Sequence, residues 1–349
     1  MAADKYVAYV GTYTHENSVG IHVYDIDLEK GKLTERSVAP INNPSNVVVA
    51  HSGKFLYSIA DEGVASFSID ENGDLTKINQ EWIGGMRACY VEIDSQDRYL
   101  FLGGFHDGRV TMMRLAEDGS VAGIADGIFH QGIGKSSVEK RLDPRVTCTK
   151  LTPDEKYLCA VDWGLNQIKI YDVDYERGKL TLNDIVRCPF NSCPRRIRFS
   201  KDGNFAYVLE EATNILDVYT YRLTGDGPEF EKIQSISILK THDSIASSSA
   251  LEFSDDGKYL YASIDGLNEV ACIKVREDGT VELESSTRIS GDYPKSIIML
   301  PDNVTLVSLN HDSNEIRTFG VDHEKKCALM KNAPIKVDKP NSIQIHKLV

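Results

Sequence analysis

Apolar and polar residues alternate along this chain in a phrase that recurs. Gly53-Lys-Phe-Leu-Tyr-Ser-Ile-Ala60 returns as Asp97-Arg-Tyr-Leu-Phe-Leu-Gly-Gly104, Glu155-Lys-Tyr-Leu-Cys-Ala-Val-Asp162, Gly203-Asn-Phe-Ala-Tyr-Val-Leu-Glu210 and Gly257-Lys-Tyr-Leu-Tyr-Ala-Ser-Ile264. Asn303-Val-Thr-Leu-Val-Ser-Leu-Asn310 is a degenerate copy, and Lys5-Tyr-Val-Ala-Tyr-Val-Gly-Thr12 makes seven. Each copy reads as a strand, here called B. A second alternating phrase follows, as in Gly20-Ile-His-Val-Tyr-Asp-Ile-Asp27 and Asn166-Gln-Ile-Lys-Ile-Tyr-Asp-Val173, and predicts a strand C. Turn signals such as Glu71-Asn-Gly-Asp74 and Glu277-Asp-Gly-Thr280 lead on to a short, weakly apolar strand D. Before each B phrase a Pro or small residue opens an apolar run, as in Pro194-Arg-Arg-Ile-Arg-Phe and Pro294-Lys-Ser-Ile-Ile-Met, which predicts a strand A.

Four strands repeated roughly every 45 to 55 residues is the period of a β-propeller. The chain begins on a B phrase and ends on Pro340-Asn-Ser-Ile-Gln-Ile-His346, an A phrase with no B after it. The expectation is an all-β, seven-bladed propeller with four-stranded antiparallel blades. The C-terminal strand completes the N-terminal blade, and a single domain spans residues 1–349. Closure removes the strand edges that an open row of blades would expose.

Composition narrows the partners. The net charge of −13 argues against nucleic acid and against an anionic membrane surface. No apolar run approaches a membrane span, and the first residues carry no apolar signal core. The seven Cys are scattered, and the nearest pair, Cys188 and Cys193, has no second pair to complete a zinc site. Free thiols, a cytoplasmic location and no structural metal are expected; the oligomeric state is left open.

Antiparallel strands put the start of A and the end of B on one face of the ring. Ser45, Cys89, Thr147, Arg195, Ser249 and Lys295 fall at the start of A, with Arg145 and Arg196 beside them. Thr12, Asp61, Phe105, Asp162-Trp163, Glu210-Glu211, Asp265 and Asn310-His311 fall at the end of B. Arg145, Arg195, Arg196 and Lys295 thus converge on one mouth of an acidic protein. Such cations hold carboxylate or phosphate, or they pair with Asp162, Glu210, Glu211 and Asp265 as scaffold. Glu211 and His311 are candidates for proton transfer. Two long D–A connections, 126–146 and 238–249, feed the same face as possible walls. Gly132-Ile-Gly-Lys-Ser136 lacks the upstream Gly of a phosphate loop, since Phe129 stands there.

Several phrases together resemble one family. Tyr9-Val-Gly-Thr-Tyr-Thr14, Gly20-Ile-His-Val-Tyr24, Ala160-Val-Asp-Trp-Gly164, Pro194-Arg195 and Tyr207-Val-Leu-Glu-Glu-Ala212 are similar to the lactonase family of seven-bladed propellers, across essentially the whole chain. The resemblance implies opening of a sugar lactone, with 6-phosphogluconolactone foremost and no metal or cofactor. It implies Arg195 and Glu211 as catalytic residues, from the family's Pro-Arg and Asn-Glu. Arg145, Thr147, Asp162, Trp163, Arg196, Lys295, Asn310 and His311 would bind a small anionic sugar lactone or sugar acid. The family's His-x-His falls on Arg145-Val-Thr147, another of its His on Tyr90, and a second Pro-Arg on Pro294-Lys295. The lost imidazoles motivate a second reading, a different lactone or acidic sugar with His311 and Tyr90 as replacement groups. A third reading is a non-catalytic propeller that binds a metabolite or protein.

Overall fold

In the computed structural model, which describes residues 4–132, 143–225, 227–241 and 243–348, every regular element is a strand. The strands form seven antiparallel sheets, each in the order A-B-C-D from the channel outward. The channel-lining A strands are Val47–Val49, Tyr90–Ile93, Val146–Leu151, Pro194–Phe199, Ser247–Phe253, Pro294–Met299 and Pro340–Lys347. The B strands are Tyr6–Thr12, Phe55–Ala60, Tyr99–Gly104, Tyr157–Asp162, Phe205–Glu210, Tyr259–Asp265 and Thr305–Asn310. The C-terminal A strand pairs with the first B strand, Tyr6 facing Lys347 and Val10 facing Ile343, so the ring closes as the termini predicted.

The B phrases repeat because each B strand is buried on both faces. In Phe205–Glu210, Ala206, Tyr207, Val208, Leu209 and Glu210 are all buried. One face packs on the next blade and the other on the preceding one, so apolar clusters fill every gap between sheets. The Tyr207 hydroxyl donates to Gly279 O at 3.0 Å, across a blade boundary. Gly279 (φ 79°) lies against the Phe205 ring, where a Cβ would come within 2.2 Å. Tyr9 repeats the motif on Gly73 O at 2.9 Å. A tyrosine on one blade thus locks the C–D turn of its neighbour.

One D strand departs from expectation. In the seventh sheet it breaks into Cys327–Met330 and Ile335–Lys336, both on the same C strand. Pro334 intervenes, and proline has no N–H to give the ladder. The long connections are also shorter than expected. A D strand runs to Phe129 and the next A strand starts at Val146, while the second connection lies between Ser237 and Ser247. Residues 133–142, including most of Gly132–Ser136, lie outside the described residues. All seven cysteines are free thiols. Among the described residues no helix is long and apolar enough to cross a membrane.

Candidate active site

The mouth is built by a recurring irregularity. Most A strands begin with a β-bulge, an extra residue left out of the ladder and re-aimed away from the sheet. The register shifts between Val146 and Cys148, Pro194 and Arg196, Pro294 and Ser296, and Pro340 and Ser342, which leaves Thr147, Arg195, Lys295 and Asn341 unpaired. A wider shift between Ser248 and Leu251 does the same for Ser249. The sequence placed Thr147, Arg195, Ser249 and Lys295 here but passed over Asn341. Its amide donates to Ser45 O, and its Oδ1 is buried without a partner among the described residues.

A second set comes from the B–C loops. In four blades the residue after the B strand donates its N–H to the carbonyl just before the A strand: Trp163 to Arg145, Glu211 to Cys193, His311 to Tyr293 and Tyr13 to Lys339, at 2.8–3.0 Å. Cys193, Tyr293 and Lys339 hold φ of 56°, 55° and 46° to make this contact. The side chains of Tyr13, Trp163, Glu211 and His311 are therefore set beside the bulge residues, half-buried.

Side-chain direction alternates at this edge, because successive strand residues point to opposite sides. Asp162 and Asn310, the last B-strand residues, are wholly buried. Asp162 accepts from the N–H groups of Arg145 and Leu165 and contacts His130 Nδ1 at 2.6 Å. Asn310 accepts from the Ser308 hydroxyl and packs against Gly291. Both brace the loops from behind. Glu210 does the same, and burial pushes its carboxyl up to about 7.

At the centre, Arg195 Nη1 meets Glu211 Oε2 at 2.6 Å, and Arg195 Nε donates to Ser249 O at 3.1 Å. Trp163 Nε1 donates to the same Glu211 oxygen at 2.8 Å. The other oxygen, Oε1, takes the Ser247 hydroxyl at 3.3 Å. Burial opposes the Arg195 charge and Glu211 favours it, with the balance upward. Thr147 is buried and donates to Arg195 O at 3.1 Å, a brace for the bulge. Arg196 donates to Thr147 O at 2.7 Å and lies over the Tyr90 ring at 5.1 Å. Tyr90 itself turns into the channel, where Arg198 donates to its hydroxyl at 3.4 Å.

Lys295 differs from Arg195 and Arg87, which each pair with a carboxylate. Among the described residues it forms no ion pair, and its ammonium lies 4.8 Å from the Tyr13 ring centre and 5.5 Å from that of Tyr293. Asp312, which favours its charge, is already engaged by Lys339 at 3.5 Å. Burial, then Arg195 and Arg87, push the Lys295 ammonium down to about 8. Arg87 is a mouth residue the sequence reading missed; it reaches Asp61 at 3.4 Å and lies over Tyr13 at 4.8 Å. Its position just before an A strand, equivalent to Arg145, could have revealed it. Arg145 lies over Phe105 at 4.8 Å and Trp163 at 5.8 Å.

His311 completes the ring. Its Nδ1 lies 3.1 Å from Pro340 O, which fixes the proton on Nδ1 and leaves Nε2 as an acceptor. Burial, then Lys295, hold the imidazolium down to about 4, so the ring is neutral at pH 7. Arg196, Lys295 and Asn341 also cap a channel cavity of about 330 Å³ that runs along the A strands past Lys150, Arg198 and Glu252.

The family pattern and relatives of this propeller place it among the lactone hydrolases, enzymes that open cyclic carboxylic esters. The chain is a member of the family Lactonase, 7-bladed beta-propeller, whose pattern matches residues 7–345. It is 30% identical to 6-phosphogluconolactonase of Bacillus subtilis (strain 168) over 328 residues, 92% of each chain. A crystal structure from Bacteroides fragilis NCTC 9343, provisionally assigned as a 6-phosphogluconolactonase, superposes with a TM-score of 0.89 at 28% identity, covering 98% of both chains. The periplasmic gluconolactonase PpgL of Pseudomonas aeruginosa shares the fold at a TM-score of 0.90 and 24% identity, over 99% of this chain and all of that one.

Proposed function

We propose that the mouth hydrolyses a sugar lactone that carries an anionic group, with 6-phosphogluconolactone the first candidate. The observation that carries this reading is Lys295. A half-buried ammonium with no carboxylate partner among the described residues, beside Arg195 and Arg87, is stabilised by a bound phosphate or carboxylate. The relative from Bacillus subtilis, named for a phosphorylated lactone, supports the same class.

The chemistry needs no redox step. Water adds to the lactone carbonyl, the carbonyl oxygen gains negative charge, and the ring C–O bond then breaks. The proton lost by the water ends on the departing ring oxygen. Arg195, a fixed cation, stabilises the developing oxyanion. Glu211 holds the water: its Oε2 is taken by Arg195 and Trp163, while Oε1 has, among the described residues, the Ser247 hydroxyl alone and can accept from one more donor. His311 Nε2, a bare lone pair at neutral pH, is a candidate beside Glu211 to take the proton. Arg145, Arg196 and Lys295 neutralise the anionic group. The direct test is hydrolysis of 6-phosphogluconolactone above its spontaneous rate by wild type and Arg195→Ala. Equal rates would overturn the reading.

A second reading has an observation of its own. Where the family resemblance implies two histidines, this mouth has Arg145 stacked on Phe105 and Trp163, and a buried Thr147. That change favours a different lactone or acidic sugar at the same site. A panel of phosphorylated and unphosphorylated lactones separates the two by kcat/KM.

A further inference from the structure

Far out on the ring, Cys272, Glu284 and His323 gather their ligand atoms within 4.8 Å of one another. Cys272 lies on the C strand Glu269–Val275, and Glu284 on the adjoining D strand Val281–Arg288. His323 comes from the turn after Glu315–Asp322, on the next blade. Cys272 faces Ser285 and Ile273 faces Leu283, so Glu284 is a bulge residue freed from the ladder. Glu284 Oε2 lies 3.9 Å from Cys272 Sγ and 3.4 Å from His323 Nδ1, and Cys272 Sγ lies 4.0 Å from the same nitrogen. Tetrahedral zinc, with bonds of about 2.3 Å to sulfur and about 2.0–2.1 Å to nitrogen and oxygen, sets such ligand atoms about 3.3–3.6 Å apart. The cluster needs to close by only a few tenths of an ångström.

The surroundings match a metal ligand set. Tyr261 OH lies 3.3 Å from His323 Nε2, the ring nitrogen that a ligating histidine anchors to an outer partner. Tyr259 stacks on the His323 ring at 3.6 Å and 12°, which fixes its plane. The Glu284 side chain is 8% exposed, and among the described residues it forms no ion pair with lysine or arginine. His323 is 24% exposed and leaves an entry path.

We propose that Cys272 Sγ, Glu284 and His323 Nδ1 bind one Zn²⁺, with water as fourth ligand, and that the ion clips two neighbouring blades together. A sulfur, nitrogen and oxygen set suits zinc over calcium or magnesium. The ion replaces the thiol proton, so binding releases one proton per chain. Sequence spacing hid the site, because Cys272 and His323 stand 51 residues apart on different blades.

The test uses the full chain stripped with EDTA and titrated with Co²⁺ and then Zn²⁺. The expected result is one Co²⁺ per chain with a thiolate-to-cobalt charge-transfer band, displaced by Zn²⁺, and a higher Tm with one equivalent of Zn²⁺. Cys272→Ser and His323→Phe should lose the band and weaken zinc binding on the order of 100-fold, while Cys327→Ser keeps both. If Cys272→Ser does not fold, His323→Phe and Glu284→Gln decide the matter, since the first keeps the stack on Tyr259 and the second keeps the shape. No stoichiometric binding, a cobalt spectrum without the thiolate band, or unchanged affinity in the folded variants would overturn the site.

Discussion

Arg195, at the start of an A strand, and Glu211, just past the end of the neighbouring B strand, meet at 2.6 Å at the channel mouth. Neither would point there in a regular ladder. Arg195 is extruded by a bulge, and Glu211 lies one residue past the end of its strand. The pair neutralises itself, so the net charge of the mouth rests on the cations around it.

Removing the oxyanion partner should be costly. Arg195→Ala is expected to lower kcat on 6-phosphogluconolactone by ~10²–10³-fold with a smaller change in KM. Arg195→Lys should restore little, because one ammonium cannot reach both Glu211 and Ser249 O as the guanidinium fork does. Steady-state rates corrected for spontaneous hydrolysis give both values.

Glu211→Gln keeps the shape and removes the charge. The variant should lose activity by about 10²-fold or more. It should also unfold at lower denaturant, by about 1–3 kcal/mol, because Arg195 is left largely buried without its partner. Urea titration at pH 7 measures the second effect. An unchanged midpoint would mean the pair contributes nothing to the fold.

Lys295 gives a signed pH prediction. Its folded pKa, about 8, lies below the ordinary 10.5, so the unfolded chain binds more protons between these values. Stability therefore rises with pH across that window, and the cost of the buried charge is fully present below pH 8. Lys295→Met should be more stable than wild type at pH 7, with the gap closing toward pH 10. Binding of 6-phosphogluconate, the product of 6-phosphogluconolactone hydrolysis, should weaken in wild type as pH climbs above 8. The variant should bind weakly at every pH, as calorimetry at two pH values would show.

His311 shifts in the same direction at lower pH. With a folded pKa of about 4 against 6.5, stability should fall as pH drops from 6.5 to 4, because the unfolded chain takes up the proton first. His311→Gln should flatten that fall. The activity profile of the wild type should carry no inflection near pH 6.5 from this ring.

A fold prediction is separable from the site. Tyr207→Phe removes the hydroxyl that holds Gly279 O and should cost about 1 kcal/mol. Gly279→Ala should cost more, about 2–4 kcal/mol, since its Cβ would strike Phe205 and φ of 79° strains any side chain. Thermal unfolding of the two variants ranks them.

The blades could be read in the sequence because each B strand is buried on both faces and repeats its phrase, and because an orphan A phrase answered an orphan B phrase. The mouth was legible where strand register decided it, as for Arg195, Lys295 and Glu211. Register without pleat misled at Asp162 and Asn310. These residues end their strands at the right height yet point backward into the loops, one position short of Trp163 and His311. Arg87 and Asn341 were missed although they occupy positions equivalent to Arg145 and Lys295. The Cys272 cluster was invisible because it joins two blades through side chains that no linear spacing connects.

The bulges that open the A strands carry a consequence for how such a protein can change. A bulge residue lends nothing to the hydrogen-bond ladder, so its side chain can be exchanged with little effect on the pairing on either side. Thr147, Arg195, Ser249, Lys295 and Asn341 therefore act as sockets around a common rim. The side chains that face the mouth can be exchanged one socket at a time while the seven sheets stay as they are.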